Sequence, residues 1–260
     1  ITTFTDGSPD ANGASILDSN WSVRNFTAVI SDTSNFGIWT NHTGKPINLS
    51  NLWDNQSLRM LLKFDKDLND SSRYNNTRIA GALTSVSLDA SNTRWSNSVF
   101  CDGTADKNWD YPDAPRFEFP KNEYTSFAWV NVAAFGNPRP LWSKEPSGTT
   151  GAWVGSYNVV AAGFAMQIGG TEVGVVRTDD ERFTGVAGKW YFVAWVYNGS
   201  ATNDIDQARI YVGDGVNFSN YSKVSSQSIA STWTEGTGVV DMCFSTAETV
   251  GFNGRFDNLA

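Results

Sequence analysis

Short apolar or alternating runs recur along the chain, separated by clusters of Gly, Asn, Asp and Ser. Residues Ile210 and Val212 fall on one face of such a run, which is typical of a half-buried strand. The run Lys189–Tyr197 is almost entirely apolar and predicts a central strand covered on both faces. The predicted strands are Ser126–Val132, Leu141–Lys144, Gly163–Gly169, Glu172–Arg177, Lys189–Tyr197, Ala208–Val212 and Val239–Ser245. Together they predict an all-β fold, an antiparallel two-sheet β-sandwich of the jelly-roll type.

Two local patterns add detail to this prediction. The pair Gly169-Gly170 lies between two strand runs and predicts a tight hairpin. Ser50 is placed to N-cap a short helix over Ser50–Leu62. The strand pattern becomes regular only after residue 56, so the predicted division is an N-terminal extension, 1–56, and a jelly-roll domain, 57–260. The extension is expected to pack on the sandwich or to link neighbouring sandwiches.

Charge and hydropathy narrow the classes of partner. The 260 residues carry a formal net charge of −8, and an acidic chain repels phosphate backbones, which argues against nucleic acid. No segment approaches the roughly 20 apolar residues of a membrane helix, so membrane insertion is not expected. The sequence begins at Ile1 without a signal peptide, which suits either a mature secreted protein or a fragment.

Asn-x-Ser/Thr sequons are dense, especially before residue 80, and predict an N-glycosylated extracellular protein. The alternative is that Asn, Ser and Thr are simply abundant in loops. The predicted sites are Asn20, Asn25, Asn41, Asn48, Asn55, Asn69, Asn75, Asn198, Asn217 and Asn220.

Cys101 and Cys243 are the two cysteines, too few and too far apart for a metal knuckle or a disulfide-dense scaffold. Both lie in strand-like runs. One long-range disulfide and two buried thiols both fit this pattern.

An ordered series of motifs covers the chain from about residue 57 onward. The segments are Leu61–Asp65 with Leu68–Ser72, Ser98–Gly103, Tyr124–Val130 followed by Leu141–Lys144, Gly188–Tyr197, Arg209–Gly215 and Phe252–Leu259. In this order they resemble the laminin G-like, concanavalin A-like family of jelly rolls. The resemblance implies the same two-sheet sandwich that the strand pattern predicts.

The resemblance also implies a structural calcium site. Members of the family often hold calcium between an early Asp-rich segment and the closing Asp, with hard oxygen ligands. The matching positions here are Asp65, Asp70 and Asp257. The alternative is that these residues are ordinary turn and loop aspartates.

Carbohydrate binding is a second function of the family, and it depends on exposed aromatic rings beside polar groups. The predicted glycan-binding residues are Trp142, Trp153 and Tyr157, chosen from a wider set with Trp109, Tyr111 and Trp233. The strand tryptophans Trp129, Trp190 and Trp195 are expected to lie in the core.

Catalytic chemistry has little support in the sequence. The single histidine, His42, lies within a sequon, and no paired carboxylate array falls on a predicted strand. Asp179-Asp180-Glu181 has the character of a solvated turn, and Gln167 has no histidine near it. The expectation is that the protein has no catalytic residues and is not an enzyme.

Self-association is a further hypothesis. The family core continues beyond the closing Asp, whereas this sequence ends soon after it and carries an additional strand-like segment, Ile1, Thr2, Thr3, Phe4 and Thr5. An unpaired edge accepts a strand from another chain, so this segment is a candidate for completing a neighbour's sheet. The alternative is that it pairs within its own chain.

The first interpretation is therefore a glycosylated structural or adhesive protein on a cell, filament or virion, held by self-association or by other surface proteins. The alternative is a carbohydrate-binding, lectin-like module that recognises glycans. A polysaccharide-active enzyme is the third and least supported interpretation.

Overall fold

A computed structural model gives the architecture. It describes residues 2–3, 26–30, 38–41, 59–79, 86–92, 97–104, 109–117, 123–136, 139–144, 155–159, 162–167, 175–178, 183–198, 200–201, 207–213, 218–221, 238–243 and 251–259. These residues form strands in three antiparallel sheets, and the only helical segment among them longer than one residue is a 3₁₀ turn, Pro115–Phe117. No helix in this part of the chain has both the length and the apolar character needed to cross a membrane.

The largest sheet has seven strands in the order β14-β13-β12-β7-β16-β5-β4. Its strands are β4 (Ser87–Asp89), β5 (Ser98–Asp102), β7 (Glu123–Val132), β12 (Trp190–Asn198), β13 (Ala208–Gly213), β14 (Phe218–Tyr221) and β16 (Asn253–Asp257). The apolar run at 189–197 forms β12, which pairs with β7 on one side and β13 on the other. The prediction of a central strand there is confirmed.

The facing sheet has six strands in the order β11-β10-β9-β8-β15-β6. They are β6 (Trp109–Tyr111), β8 (Arg139–Lys144), β9 (Gly155–Val159), β10 (Phe164–Gln167), β11 (Val175–Arg177) and β15 (Val240–Met242). Strands β10 and β11 pair antiparallel, as the predicted hairpin requires. The Gly169-Gly170 turn itself lies outside the described residues.

One hydrophobic core fills the space between these two sheets. Trp195 of β12, Trp109 of β6 and Phe256 of β16 are buried in it, together with Phe64 from the loop before β4. The rings of Trp109 and Phe256 stack with centroids 5.9 Å apart, and Phe64 meets both rings edge-on. Burial of this many aromatic rings supplies much of the driving force for folding. The predicted all-β, two-sheet sandwich is confirmed.

A disulfide joins Cys101 in β5 to Cys243, the residue after β15, across 142 positions of sequence. It therefore links the seven-stranded sheet to the six-stranded sheet. The two Cα atoms are 6.1 Å apart, a common separation for a disulfide.

The predicted helix over Ser50–Leu62 is wrong in its last turn. Residues 59–62 are not helical, and Leu62 forms β-bridges with Asp70 and Leu259. The backbone groups of Leu62 hydrogen-bond to Leu259, which ties the loop before β4 to the segment after β16. Residues 50–58 lie outside the described part.

The N-terminal residues contribute a separate three-stranded sheet, β1 (Thr2–Thr3), β2 (Phe26–Ile30) and β3 (Ile38–Asn41). Thr2 and Thr3 pair with Ile30 and Val29 of the same chain, which is the alternative to donation into a neighbour. Strand β16 lies between β5 and β7 and pairs with both, so Asn253–Asp257 offers no edge to a neighbour's strand. The hypothesis that the strand is incomplete beyond Asp257 stays a prediction.

Candidate functional site

A row of side chains crosses five strands on the outer face of the seven-stranded sheet. Cα register places Ser87 opposite Phe100, Phe100 opposite Arg255, Arg255 opposite Asn131, and Asn131 opposite Trp190. Alternation along each strand turns these residues away from core positions such as Val99 and Val130. We call these five residues the outer row. Phe100 and Trp190 are three strand spacings apart, about 14 Å, which suits an extended oligosaccharide.

Arg255 is fixed at the middle of the outer row. Its Nε and Nη2 both donate to Oδ2 of Asp89, at 2.8 and 2.6 Å, and its guanidinium lies 4.7 Å from the centroid of the Phe100 ring. Asp89 is itself held by Ser91, whose backbone N–H and hydroxyl donate to Oδ1 at 2.7 and 2.6 Å. These hydrogen bonds from Ser91, followed by the one from Arg255, lower the pKa of Asp89 to about 2. At neutral pH the Asp89 carboxyl is therefore ionised.

Trp190 supplies the aromatic end of the outer row. The residue is half-buried, and its indole N–H donates to Oδ1 of Asn92 at 3.2 Å. Buried Asn131 donates from Nδ2 to the carbonyl oxygen of Gly188 at 2.6 Å, which anchors the turn immediately before Trp190. Gly188 has a φ of 78°, a conformation that glycine adopts without steric cost. The ring is thus positioned before any ligand arrives, which reduces the entropy cost of binding.

The same face continues into an apolar cluster on β7, β12 and β13. Ala194, Val196 and Tyr211 are buried there, and half-buried Phe127 and Phe192 pack against them. Sequence reasoning missed this surface because both faces of β12 are apolar. The register that places Trp195 in the core turns Trp129 and Trp190 outward. Trp129 is buried, as expected, although it is not part of the cluster between the two sheets. The expectation that Trp190 is a core residue was wrong, because its side chain is half-buried on the outer face.

The three predicted glycan-binding residues, Trp142, Trp153 and Tyr157, are not part of the outer row. Trp142 is a member of the core between the sheets and is 7% exposed, so its ring offers no face to a ligand. Trp109 and Tyr111, in the wider set, are fully buried. Those predictions were wrong because the β6 and β8 rings point inward. Tyr157 lies in β9, but its side chain is outside the described part, as are Trp153 and Trp233.

Of the three predicted calcium ligands, Asp70 already has a structural role. Its Oδ1 accepts from the backbone N–H groups of Leu61 and Ser72, both at 2.8 Å. Its Oδ2 accepts from the Ser72 hydroxyl and from the backbone and side-chain nitrogens of Asn76, at 2.6 to 2.9 Å. Five donors organise the loop around one buried carboxylate, which leaves little capacity for a metal.

Asp65 and Asp257 form the better-suited pair. Asp257 is fully buried; its Oδ1 accepts from Asn258 Nδ2 at 2.9 Å, but its Oδ2 has no hydrogen-bond partner. Burial and the neighbouring charge of Asp65 raise the pKa of Asp257 to about 8. A buried, unsatisfied carboxylate oxygen beside a second carboxyl fits a hard cation. The described residues contain no cluster of three or more His, Cys, Asp or Glu suited to a metal, so carbonyl oxygens and water would supply the other ligands.

A second carboxyl pair lies on the outer face of the six-stranded sheet. Asp110 of β6 and Asp241 of β15 are opposite in register on that face, and buried Ser143 of β8 lies opposite Asp241 on its other side. Burial is the main cause of a raised pKa at Asp110. The two carboxyls therefore share one face of this sheet, and Asp241 is almost completely buried there.

The remaining predicted positions are only partly described. Asn69 and Asn75 are exposed and Asn198 is half-buried. Asn41 and Asn220 lie in β3 and β14, with side chains outside the described part. The other sequons, His42 and Asp179-Asp180-Glu181 also fall outside it.

Neither a protein-family model nor a curated protein sequence matches the chain, but solved structures share its fold. The binding domain of Paraclostridial Mosquitocidal Protein 1 superposes with a TM-score of 0.53 at 12% identity, over 76% of this chain and 47% of that one. The botulinum neurotoxin serotype G binding domain gives 0.52 at 10% identity, over 77% and 46%. Domain 4 of AbnA, a GH43 extracellular arabinanase from Geobacillus stearothermophilus, in complex with arabinotriose, gives 0.51 at 13% identity, over 77% and 89%.

These likenesses establish the β-sandwich fold. This chain spans about half the length of each of the two toxin binding domains and nearly all of the arabinanase domain. The β-sandwich part of the family resemblance is confirmed. The specific laminin G-like assignment stays a prediction.

Proposed function

We propose that the protein is a non-catalytic, extracellular carbohydrate-binding domain that holds a glycan along the outer row. The observation that carries this proposal is the juxtaposition of a half-buried indole, Trp190, with a fixed Arg255–Asp89 pair on one sheet face. Ligand sites of this kind combine aromatic surface with a few oriented polar groups. The arabinotriose bound to domain 4 of the arabinanase supports the same class of ligand on a shared fold. Fold alone decides no function, so the site carries the argument.

The carboxylates give no support for an enzyme. Asp89 has a pKa of about 2 and is bonded to Arg255, so it is a poor general acid at neutral pH. Asp241, which lies opposite Asp110 on the other sheet, is only 1% exposed, so a sugar has little access to its carboxylate. We therefore propose recognition without bond cleavage.

An extracellular location is consistent with the covalent features of the chain. The disulfide between Cys101 and Cys243 favours an oxidising compartment, and Asn69 and Asn75 present sequons on exposed positions. We propose that calcium binds between the loop before β4 and the end of β16, through Asp65 and Asp257. There it would neutralise the buried Asp257 carboxylate. The filament interpretation has less support, because Thr2–Thr3 pairs within the chain and β16 has both edges filled.

Glycan binding tests the proposal directly. The native protein is titrated by calorimetry with arabinotriose, cellotriose, lactose and 3′-sialyllactose, after a broader glycan array has guided the choice of ligand. Trp190→Ala should weaken binding of the best ligand about tenfold or more, as expected for loss of a central aromatic contact. Tyr74→Ala removes a half-buried aromatic ring outside the outer row and serves as the matched control. Both variants are first checked for a native circular dichroism spectrum and melting transition.

Two results would reject the proposal. One is a blank array together with no heat of binding for any of the four sugars. The other is a folded Trp190→Ala variant that binds as tightly as the native protein, which would place the glycan elsewhere.

A further inference from the structure

The electrostatics of the outer row set which sugars it accepts. Arg255 is the one cation among the five residues of the row, and two of its N–H groups already point at a single oxygen of Asp89. Asp89 cannot easily turn away, because Ser91 holds its other oxygen through two hydrogen bonds. The Nε–Nη2 edge of the arginine is therefore engaged within the protein, and the charge of the guanidinium is already paired with a carboxylate.

Asp89 neutralises the positive charge of Arg255, and no neighbouring cation in the described part of this face replaces it. Asp102 lies on the same face of β5, two residues beyond Phe100, and adds a second carboxylate. Lys189 precedes Trp190, but its Nζ lies 5.3 Å from the centroid of the Tyr191 ring, a side chain that belongs to the core. The formal net charge of the whole chain is −8. An anionic ligand thus meets a surface that is neutral or negative, and both local and long-range fields oppose its approach.

We propose that the outer row selects neutral oligosaccharides and rejects those that carry a carboxylate, such as sialylated or uronic-acid sugars, because Asp89 occupies Arg255. This inference rests on the proposed function and adds its ligand class. Sugar hydroxyls are both donors and acceptors, so they suit an Arg–Asp pair whose outer edges still offer both kinds of group. A sugar carboxylate offers only acceptors, so it would either displace Asp89 or bind beside a like charge that repels it.

The native protein gives a first test that needs no variant. Calorimetry compares lactose with 3′-sialyllactose, and cellotriose with trigalacturonate, at 50 and 500 mM NaCl. We expect the neutral member of each pair to bind at least about tenfold more tightly, with an affinity that changes less than about twofold with salt, because no net charge is neutralised on binding. A preference for the anionic member would overturn the inference and leave the proposed function standing. Failure of all four sugars and of a broader array would instead reject the proposed function.

The second test removes the carboxylate that is paired with Arg255. In Asp89→Ala the guanidinium loses its internal partner, and binding of 3′-sialyllactose or trigalacturonate should rise by about tenfold or more, the gain of a charge-assisted contact. Alanine is preferred to asparagine here, because Asn followed by Ala90-Ser91 would create a new sequon. The gain should disappear in Asp89→Ala/Arg255→Gln and should fall steeply with salt.

Asp67→Ala is the matched control. Asp67 also accepts a hydrogen bond from the backbone N–H two residues ahead, that of Asn69, at 2.9 Å. It removes the same unit of negative charge from the chain and should leave anionic sugars unbound. Equal gains in Asp67→Ala and Asp89→Ala would show that net charge alone governs selectivity and would overturn the inference. A folded Asp89→Ala variant without any gain would overturn it as well.

Discussion

At the scale of single residues, Asp70 and Asp257 look alike in sequence but differ in what their carboxylate oxygens contact. Five donors satisfy Asp70, whereas one oxygen of Asp257 is buried without a partner. Unsatisfied buried oxygens are costly, and a cation removes that cost. The two residues therefore have separable effects on stability, which sequence alone did not distinguish.

We expect calcium to raise the Tm of the native protein relative to EDTA, because a ligand of the folded state stabilises it by mass action. Asp257→Asn should abolish this rise. Asp70→Ala should lower the Tm in EDTA by several degrees, through loss of hydrogen bonds to a charged group worth about 3 kcal/mol or more, yet keep the calcium response. Differential scanning calorimetry measures all three proteins. A lost response in Asp70→Ala, or an unchanged one in Asp257→Asn, would contradict this assignment.

The raised pKa of Asp257 also predicts how the Tm depends on pH. The pKa of Asp257 is raised from 3.8 to about 8, so the folded state binds this proton more tightly than the unfolded chain does. In EDTA this contribution is complete below pH 3.8 and is lost as the pH rises toward 8. Calcium competes with that proton, so its effect on Tm should be larger at pH 8 than at pH 6.

At the scale of elements, β16 shows how closely the strands of the larger sheet approach one another. A Cβ at Gly254 would collide with the backbone oxygen of Asn131 in β7 and with the Phe252 ring. Backbone cannot move aside in the middle of a sheet that is paired on both edges. The residue next to this glycine is Arg255, so the same packing positions the outer row.

Gly254→Ala should therefore destabilise the protein by at least about 2 kcal/mol, the range expected for overpacking. Gly136→Ala is the matched control, because a Cβ there meets no atom within 4 Å. Its effect should stay within about 0.5 kcal/mol. Urea denaturation followed by tryptophan fluorescence gives both values, and similar midpoints for the two variants would refute the steric explanation.

The sequence was most informative about the positions of the strands. Alternation located β7, β8, β10, β12, β13 and β15 within a few residues. It did not show which face of β12 is internal, because Trp190, Phe192 and Ala194 are as apolar as Tyr191, Val193 and Trp195. Period-two patterns fix which residues share a face and leave the choice of face to long-range packing. The outer row consists of residues from five strands, so no local pattern contains it.

At the scale of the whole molecule, the two sheets are held by the shared aromatic core and by one covalent link. The core includes rings from both sheets, among them Trp109 and Trp195. The Cys101–Cys243 disulfide connects the same two layers. The outer row lies on the opposite side of the seven-stranded sheet from this link. Removing the disulfide is therefore expected to lower folding stability without changing the affinity for a ligand.

Cys101→Ser/Cys243→Ser removes the disulfide while leaving two small side chains in its place. A cross-link closing a loop of 142 residues lowers the entropy of the unfolded chain, and its removal should cost about 5 kcal/mol by the chain-entropy relation. Urea denaturation of the native and double-serine proteins, compared at equal temperature, measures that difference.

At a temperature where both proteins remain folded, their Kd values for the best neutral sugar should agree within about twofold, since β5 keeps its pairing with β4 and β16. A large loss of affinity in the folded variant would show that the link between the sheets also shapes the outer row, because Phe100 is the neighbour of Cys101 in β5.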